Sequence, residues 1–492
     1  MQLFKSKKSL LFLGLIILFG LLLKQYLLFT EVKGFLLGDP YEYASMAYKV
    51  VFNNKWEAWG IRSWFYSFFL MIPLMIMKWL KVLPGRFFMN MLIETQIIFS
   101  VSCLIVTYFI GKKINNTFTG IISVFFLTLN TLFNRWSLST TSDIPAVLFY
   151  LLAIYFSIPN SNKKTVSSFF GGLFMGISFG IRYQVIFSFI PICFFYLKRF
   201  KNFLYFLLGF IIVFLLIGSV DQLIYGDLFH SLIANFKYNS YVIPARDYNL
   251  ISLINNKFYF NSILFYFSLI EIFLMIISLI PSFYKKNIFI IIFNFIFTFA
   301  IYYFLSLKND RFLVLVVPLI CIMSAIGLDF IKFKLIKIFK LPLASISFIG
   351  VTLIFAFFFH INKIKYIDLH PFGGMIDGVN SILKYDKTSQ IVAPLYTVGR
   401  EFYFGENLKV INLDSPDWNN KDLVNSILKE GKYFFVWNIN SFEFKKNVLP
   451  SMRDNKYYFF RLYNKLETIT DANNHVIYDH YINHIYLFKK GY

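Results

Sequence analysis

Apolar runs of bilayer-spanning length follow one another through roughly the first 360 residues, and no other feature constrains the chain as tightly. A helical crossing takes about 20 residues. Candidate stretches lie near 9–29, 63–82, 90–111, 118–134, 144–158, 166–181, 183–197, 203–220, 260–282, 287–306, 312–330 and 341–360, twelve in all. With 58% apolar and 15% charged residues and a mean hydropathy of +0.61, the chain has more apolar surface than a soluble core buries. The expected fold class is therefore an all-α polytopic membrane protein.

Charge sets the orientation. Lys and Arg number 48 against 26 Asp and Glu, a net +22 that invites a nucleic-acid reading. The basic residues instead gather between apolar runs, at Lys5/Lys7/Lys8, Lys112/Lys113, Lys163/Lys164, Lys198/Arg199/Lys201, Lys285/Lys286 and Lys332 to Lys340. That is how cytoplasmic loops are marked, so no nucleic-acid partner is expected. Twelve crossings would not leave all these clusters on one side. Letting 63–82, with its Pro73, lie along or dip into the membrane restores the parity with eleven. Loops 30–89, 135–143, 221–259 and 307–311, and everything after 361, then face away from the cytoplasm. The first run, 9–29, is too long for a signal peptide and lacks a small-residue cleavage site, so it is read as an uncleaved helix.

Two further regions are read structurally. Gly172, Gly176 and Gly180 form a small-residue stripe that lets a neighbouring helix approach closely, a packing feature and not a site. Beyond 361 the pattern becomes that of a soluble unit, with helices near 374–385 and 420–430 and short strands at 390–395, 408–412 and 433–438. Domains 1–360, in the membrane, and 361–492, a small extracytoplasmic α/β domain, are predicted.

On this topology the ionisable residues that interrupt the apolar pattern collect on one face: Asp39, Glu42, Arg62, Asp143, Arg182, Asp221, Lys308, Asp310 and Arg311. Charges at a membrane border are costly unless paired or wet, so a polar outward cavity is expected. Asp39, between Gly38 and Pro40, sits where a turn or a helix N-cap forms. A carboxylate there is also placed to take a proton from a hydroxyl. Lys308 and Arg311 suit an anionic phosphate, although each alone also suits a snorkelling helix end. Arg182 has no charged neighbour in sequence and needs an anionic partner, a carboxylate or a lipid phosphate.

Other chemistries lack their motifs. Cys103, Cys193 and Cys321 lie singly in apolar runs, and the six His are scattered, so no metal site and no cofactor is expected. No phosphate-binding Gly-rich loop, dinucleotide fingerprint or nucleophile elbow occurs.

Six local matches in order make the chain resemble the α-mannosyltransferases of glycosyltransferase family 22, within the GT-C superfamily. They are Asp39-Pro40-Tyr41-Glu42, Gly60-Ile61-Arg62-Ser63-Trp64, Ser139-Thr140-Thr141-Ser142-Asp143, Ile181-Arg182-Tyr183-Gln184, Asp221 through Tyr225-Gly226, and Leu307-Lys308-Asn309-Asp310-Arg311-Phe312. Gly38, Asp39, Tyr43 and Ala47 also fit a broader bacterial GT-C pattern. Tyr41, Leu307 and Asn309 depart from the family's residues.

The resemblance implies a GT-C fold of about eleven transmembrane helices plus juxtamembrane helices. It also implies transfer of a hexose, mannose by analogy, from a polyprenyl-phosphate donor to a glycan, glycolipid or protein acceptor. Asp39, or else Glu42, would be catalytic; Arg62, Asp143, Arg182, Asp221, Lys308 and Arg311 would bind substrate. The soluble tail resembles those of bacterial relatives, which points to a prokaryotic plasma membrane rather than the endoplasmic reticulum. A flippase or transporter of lipid-linked sugars and an O-antigen ligase or polymerase stand as alternatives.

Overall fold

The computed structural model describes residues 6–30, 39–56, 60–82, 86–158, 164–196, 199–238, 257–304, 309–337 and 340–364, and beyond them 390–393, 409–412, 420–430, 433–436, 446, 448–454, 456–464, 469–470, 476–478 and 484–490. The expected helix at 374–385 lies outside these residues.

Helices account for everything described up to residue 364 except short turns. They are α1 (Ser6–Thr30), α2 (Asp39–Asn53), α3 (Trp64–Trp79), α4 (Arg86–Ile114), α5 (Thr117–Leu129), α6 (Thr131–Ser137), α7 (Asp143–Ser157) and α8 (Lys164–Ile181), then α9 (Phe189–Cys193), α10 (Phe200–Tyr225) and α11 (His230–Lys237). After these come α12 (Phe258–Tyr266), α13 (Leu269–Ile277), α14 (Leu279–Ser282), α15 (Lys286–Phe304), α16 (Val317–Lys337) and α17 (Pro342–Ile364). Among the described residues five helices are long and apolar enough to cross a membrane, and seven if each of two bent pairs is one span. This is the architecture of a multi-pass membrane protein. The helix α17 runs four residues past the expected domain boundary at 360, to Ile364.

Several runs that read as continuous in sequence are broken, and the breaks have local causes. The run 118–134 turns by 66° between α5 and α6. At the turn Asn130 accepts from the Phe133 amide at 3.0 Å, which caps a new helix inside an apolar stretch. The run 260–282 bends by 108° between α12 and the helices after it. There Ser268 and Glu271 form a reciprocal capping box that satisfies the amides freed by the bend. Glu271 also meets His360 of α17 at 3.0 Å, both fully buried. The run 183–197 becomes a 3-10 turn (Tyr183–Ser188), α9 and a second 3-10 turn (Phe194–Tyr196). The run 312–330 opens with a 3-10 turn over Asp310–Leu315 before α16.

The glycine stripe is a packing device. A Cβ on Gly172 would fall 1.7 Å from the Phe206 carbonyl oxygen, and one on Gly209 would fall 2.2 Å from that of Phe169. Only glycine lets α8 and α10 pack this closely. That contact fixes the end of α8, where Arg182 follows.

Beyond 364 the described strands are β1 (Gln390–Ala393), β2 (Lys409–Asn412), β3 (Tyr433–Val436), β4 (Tyr457–Asn464), β5 (Ile469–Thr470), β6 (Val476–Tyr478) and β7 (His484–Lys490). Five of them form one sheet in the order β2-β1-β3-β7-β4, and β5 pairs with β6. Within the larger sheet β1 runs parallel to β2 and β3, whereas β7 is antiparallel to β3 and β4.

Candidate active site

The ends of several helices meet around a polar pocket lined by Tyr43, Ile61, Arg62, Ser63, Ser142, Ile181, Arg182, Tyr183, Gln184, Asn235 and Arg311. These residues come from six separate parts of the sequence, and three arginines far apart in the chain converge there.

Arg182 follows the last residue of α8, and Asp143 opens α7. Their side chains, 8% and 3% exposed, form a direct ion pair. The partner that the lone Arg182 requires is thus a protein carboxylate. Among the described residues one Arg182 nitrogen, Nη2, and one Asp143 oxygen, Oδ2, have no hydrogen-bond partner. In a buried pair such spare groups are expensive unless something else satisfies them.

A second wall comes from α2 and the turn before α3. Glu42 accepts from Arg62 Nε at 2.5 Å, with side chains 24% and 15% exposed. The Arg62 guanidinium also lies over the Tyr43 ring at 5.7 Å. Ser63 caps α3 by accepting from the Phe65 amide at 3.3 Å, and Asn235 of α11 donates to the Ile61 carbonyl at 3.2 Å. Gly60 is pressed against α11, since a Cβ there would meet His230 at 2.9 Å. The turn carrying Arg62 is therefore held against α11.

Arg311 enters from the 3-10 turn after Asn309, whose side chain accepts from the Arg311 amide at 3.0 Å. Phe312 is a shared platform: Arg182 lies over its ring at 5.2 Å and Arg311 at 5.8 Å. Asp310 turns elsewhere and accepts from Tyr266 at 2.5 Å and from Arg135 at 3.1 Å.

Of the eight residues expected at the site, Arg62, Arg182 and Arg311 line the pocket, and Glu42 and Asp143 join it through their arginines. Asp221, expected among the substrate-binding residues, stands behind the wall and does not line it. Its carboxylate accepts from the Ser231 amide at 2.8 Å and hydroxyl at 2.7 Å. Because Ser231 gives its proton to Asp221, Tyr183 donates to Ser231, at 2.5 Å. Asp221 thereby anchors the start of α11, which carries Asn235. The helix α2 begins at Asp39 with Pro40 next, a position where proline is tolerated. The side chain of Asp39, and Lys308 altogether, lie outside the described residues.

Sequence reasoning passes over Arg135 and Tyr266. A signal was present for Arg135, a lone cation directly after an apolar run, and none for Tyr266, one of 32 tyrosines.

The family model described as the Alg9-like mannosyltransferase family matches residues 41–404. No curated protein matches in sequence. Solved structures match in fold. The archaeal oligosaccharyltransferase AglB from Archaeoglobus fulgidus, in complex with an inhibitory peptide and a dolichol-phosphate, superposes with a TM-score of 0.56 at 11% identity, over 94% of this chain and 73% of that one. ArnT from Cupriavidus metallidurans, bound to undecaprenyl phosphate, gives 0.57 at 9% identity over 98% of both chains. The mycobacterial arabinofuranosyltransferase AftD gives 0.50 at 10% identity, over 98% of this chain and 41% of that one. At such identities the likeness shows a shared fold.

Proposed function

The chain belongs to the Alg9-like mannosyltransferase family, and on that premise we propose that it transfers a hexose, mannose by the family's chemistry, from a polyprenyl-phosphate donor to a glycan, lipid or protein acceptor on the non-cytoplasmic face. The observation that carries this reading is the convergence of Arg62, Arg182 and Arg311 on one polar pocket. Arginine forks match phosphate oxygens, and a leaving phosphate gains charge as the glycosidic bond breaks. AglB and ArnT, whose structures hold dolichol-phosphate and undecaprenyl phosphate, share the fold and support a donor of this kind.

In the proposed reaction an acceptor hydroxyl attacks the anomeric carbon and inverts it. The bond from that carbon to the phosphate oxygen breaks, and the electron pair leaves with the polyprenyl phosphate. The hydroxyl proton passes to Asp39, which stands three residues before Glu42 at the start of the same helix. Arg311 and Arg182, with Lys308, hold the departing phosphate. Glu42 is occupied by Arg62, which leaves it less suited to accept a proton. The domain beyond 361 faces the same outer side, beside about eleven crossings.

Purified protein in nanodiscs, given radiolabelled polyprenyl-phosphate mannose, is expected to release polyprenyl phosphate. Asp39→Asn should lower kcat by about 10² to 10⁴ with donor binding retained. A variant turning over near the parent rate would remove Asp39 as the base. A parent protein that moves the lipid-linked sugar between leaflets and releases no phosphate would make it a transporter.

A further inference from the structure

Arg311 has an acidic neighbour, Asp310, within a loop assigned above to a phosphate. A carboxylate next to a phosphate-holding cation competes for that cation and repels the ligand. The fold removes the conflict. Asp310 Oδ2 accepts from Tyr266 Oη at 2.5 Å and from Arg135 Nη1 at 3.1 Å. Both partners stand at helix breaks. Arg135 lies on the short α6 after the Asn130 turn, and Tyr266 is the last residue of α12 before the 108° bend. The two breaks are tied together, since Asn130 Nδ2 donates to the Tyr266 carbonyl at 3.1 Å. The same turn is held at a further point, where the Asn309 amide donates to Tyr259 Oη at 3.4 Å.

We propose that Arg135 is a positioning residue for the donor phosphate: with Tyr266 it draws the Asp310 carboxylate out of the pocket and so sets Arg311 in place. Arg135 does not line the pocket; its Nη1 reaches Asp310 at 3.1 Å and Tyr266 Oη at 3.4 Å. The inference rests on the reading of this pocket as a polyprenyl-phosphate site. It also gives the broken spans a purpose, because an uninterrupted helix through Asn130 or Ser268 would not bring Arg135 and Tyr266 to one loop.

The test measures hexose transfer from polyprenyl-phosphate mannose and, separately, equilibrium binding of undecaprenyl phosphate, both in nanodiscs. Arg135→Ala should lower donor kcat/KM and undecaprenyl phosphate affinity by about 10- to 100-fold, the effect of losing a hydrogen bond to a charged group. The acceptor KM should stay unchanged. Adding Asp310→Asn to Arg135→Ala should restore donor affinity to within a few-fold of the parent, because the competing charge is gone; a brace with a merely structural role would instead lose more. Arg135→Lys should rescue in part. Tyr266→Phe removes a single hydroxyl and keeps the ring, so it guards against misfolding, with an expected loss of roughly three- to tenfold. Parent-like donor kinetics and binding in Arg135→Ala, or a double variant worse than the single one, would overturn the proposal. If the parent binds undecaprenyl phosphate and transfers nothing, the proposed function fails while the binding series still decides this inference. If it neither binds nor transfers, both fall.

Discussion

The two walls of the pocket each present an arginine paired with a carboxylate, and they differ in depth. Arg182–Asp143 joins the end of α8 to the start of α7 with both side chains under a tenth exposed. Glu42–Arg62 joins α2 to the turn before α3 with side chains 24% and 15% exposed. Desolvation makes a deep pair a structural commitment, because losing one member strands the other charge in a poorly polarisable interior. A pair nearer water loses much less when broken. The first wall therefore sets the shape of the site, and the second can exchange partners as a substrate enters.

The sharpest way to break this comparison is Asp143→Ala. It leaves Arg182 buried beside Phe312 without its described counter-charge. The expected cost is about 3–5 kcal/mol of stability, read as a lower apparent melting temperature in detergent, together with loss of transfer. Asp143→Asn keeps an acceptor and should fall between. An Asp143→Ala protein that melts with the parent would show that the deep wall does not hold the fold.

Next in size is Glu42→Gln. Its partner stays hydrated enough that stability should change by no more than about 1 kcal/mol. Transfer should fall by no more than about tenfold, against the 10² to 10⁴ expected of a lost general base. A Glu42→Gln loss that reaches the larger range would move the base from Asp39 to Glu42. It would also mean that the shallow wall performs the chemistry.

What was legible in the sequence is a different division, between single residues and their partners. The arginines of the pocket stood out because charge is rare in an apolar chain, and the ordered motifs from Gly60 to Arg311 tied them to one family. The glycine stripe was equally legible, since close helix approach needs small residues at that spacing. The pairing was not. Nothing local says that Arg182 meets Asp143, 39 positions earlier, or that Asp221 turns to Ser231 instead of the pocket. The helix breaks were hidden as well. Asn130 and Ser268 sit in otherwise apolar runs, and a hydropathy reading passes over a single capping side chain. Because the breaks bring Arg135 and Tyr266 to Asp310, missing them meant missing that cluster too.

The smallest effect expected on either wall is that of Arg62→Lys. Lysine keeps the positive charge, so Glu42 still has a cation beside it, but it lacks the planar fork and presents a more strongly hydrated point charge. The Nε contact to Glu42 and the stacking over Tyr43 both weaken. If the shallow wall works by charge alone, donor kcat/KM should drop by only about threefold, and the melting temperature should hold. If Arg62 instead grips phosphate bidentately, as Arg311 is proposed to do, the loss should approach the roughly 10²-fold of a missing electrostatic stabiliser. Measuring Arg62→Lys beside Arg311→Lys, in the same donor titration, therefore decides whether the shallow wall binds phosphate or only carries charge.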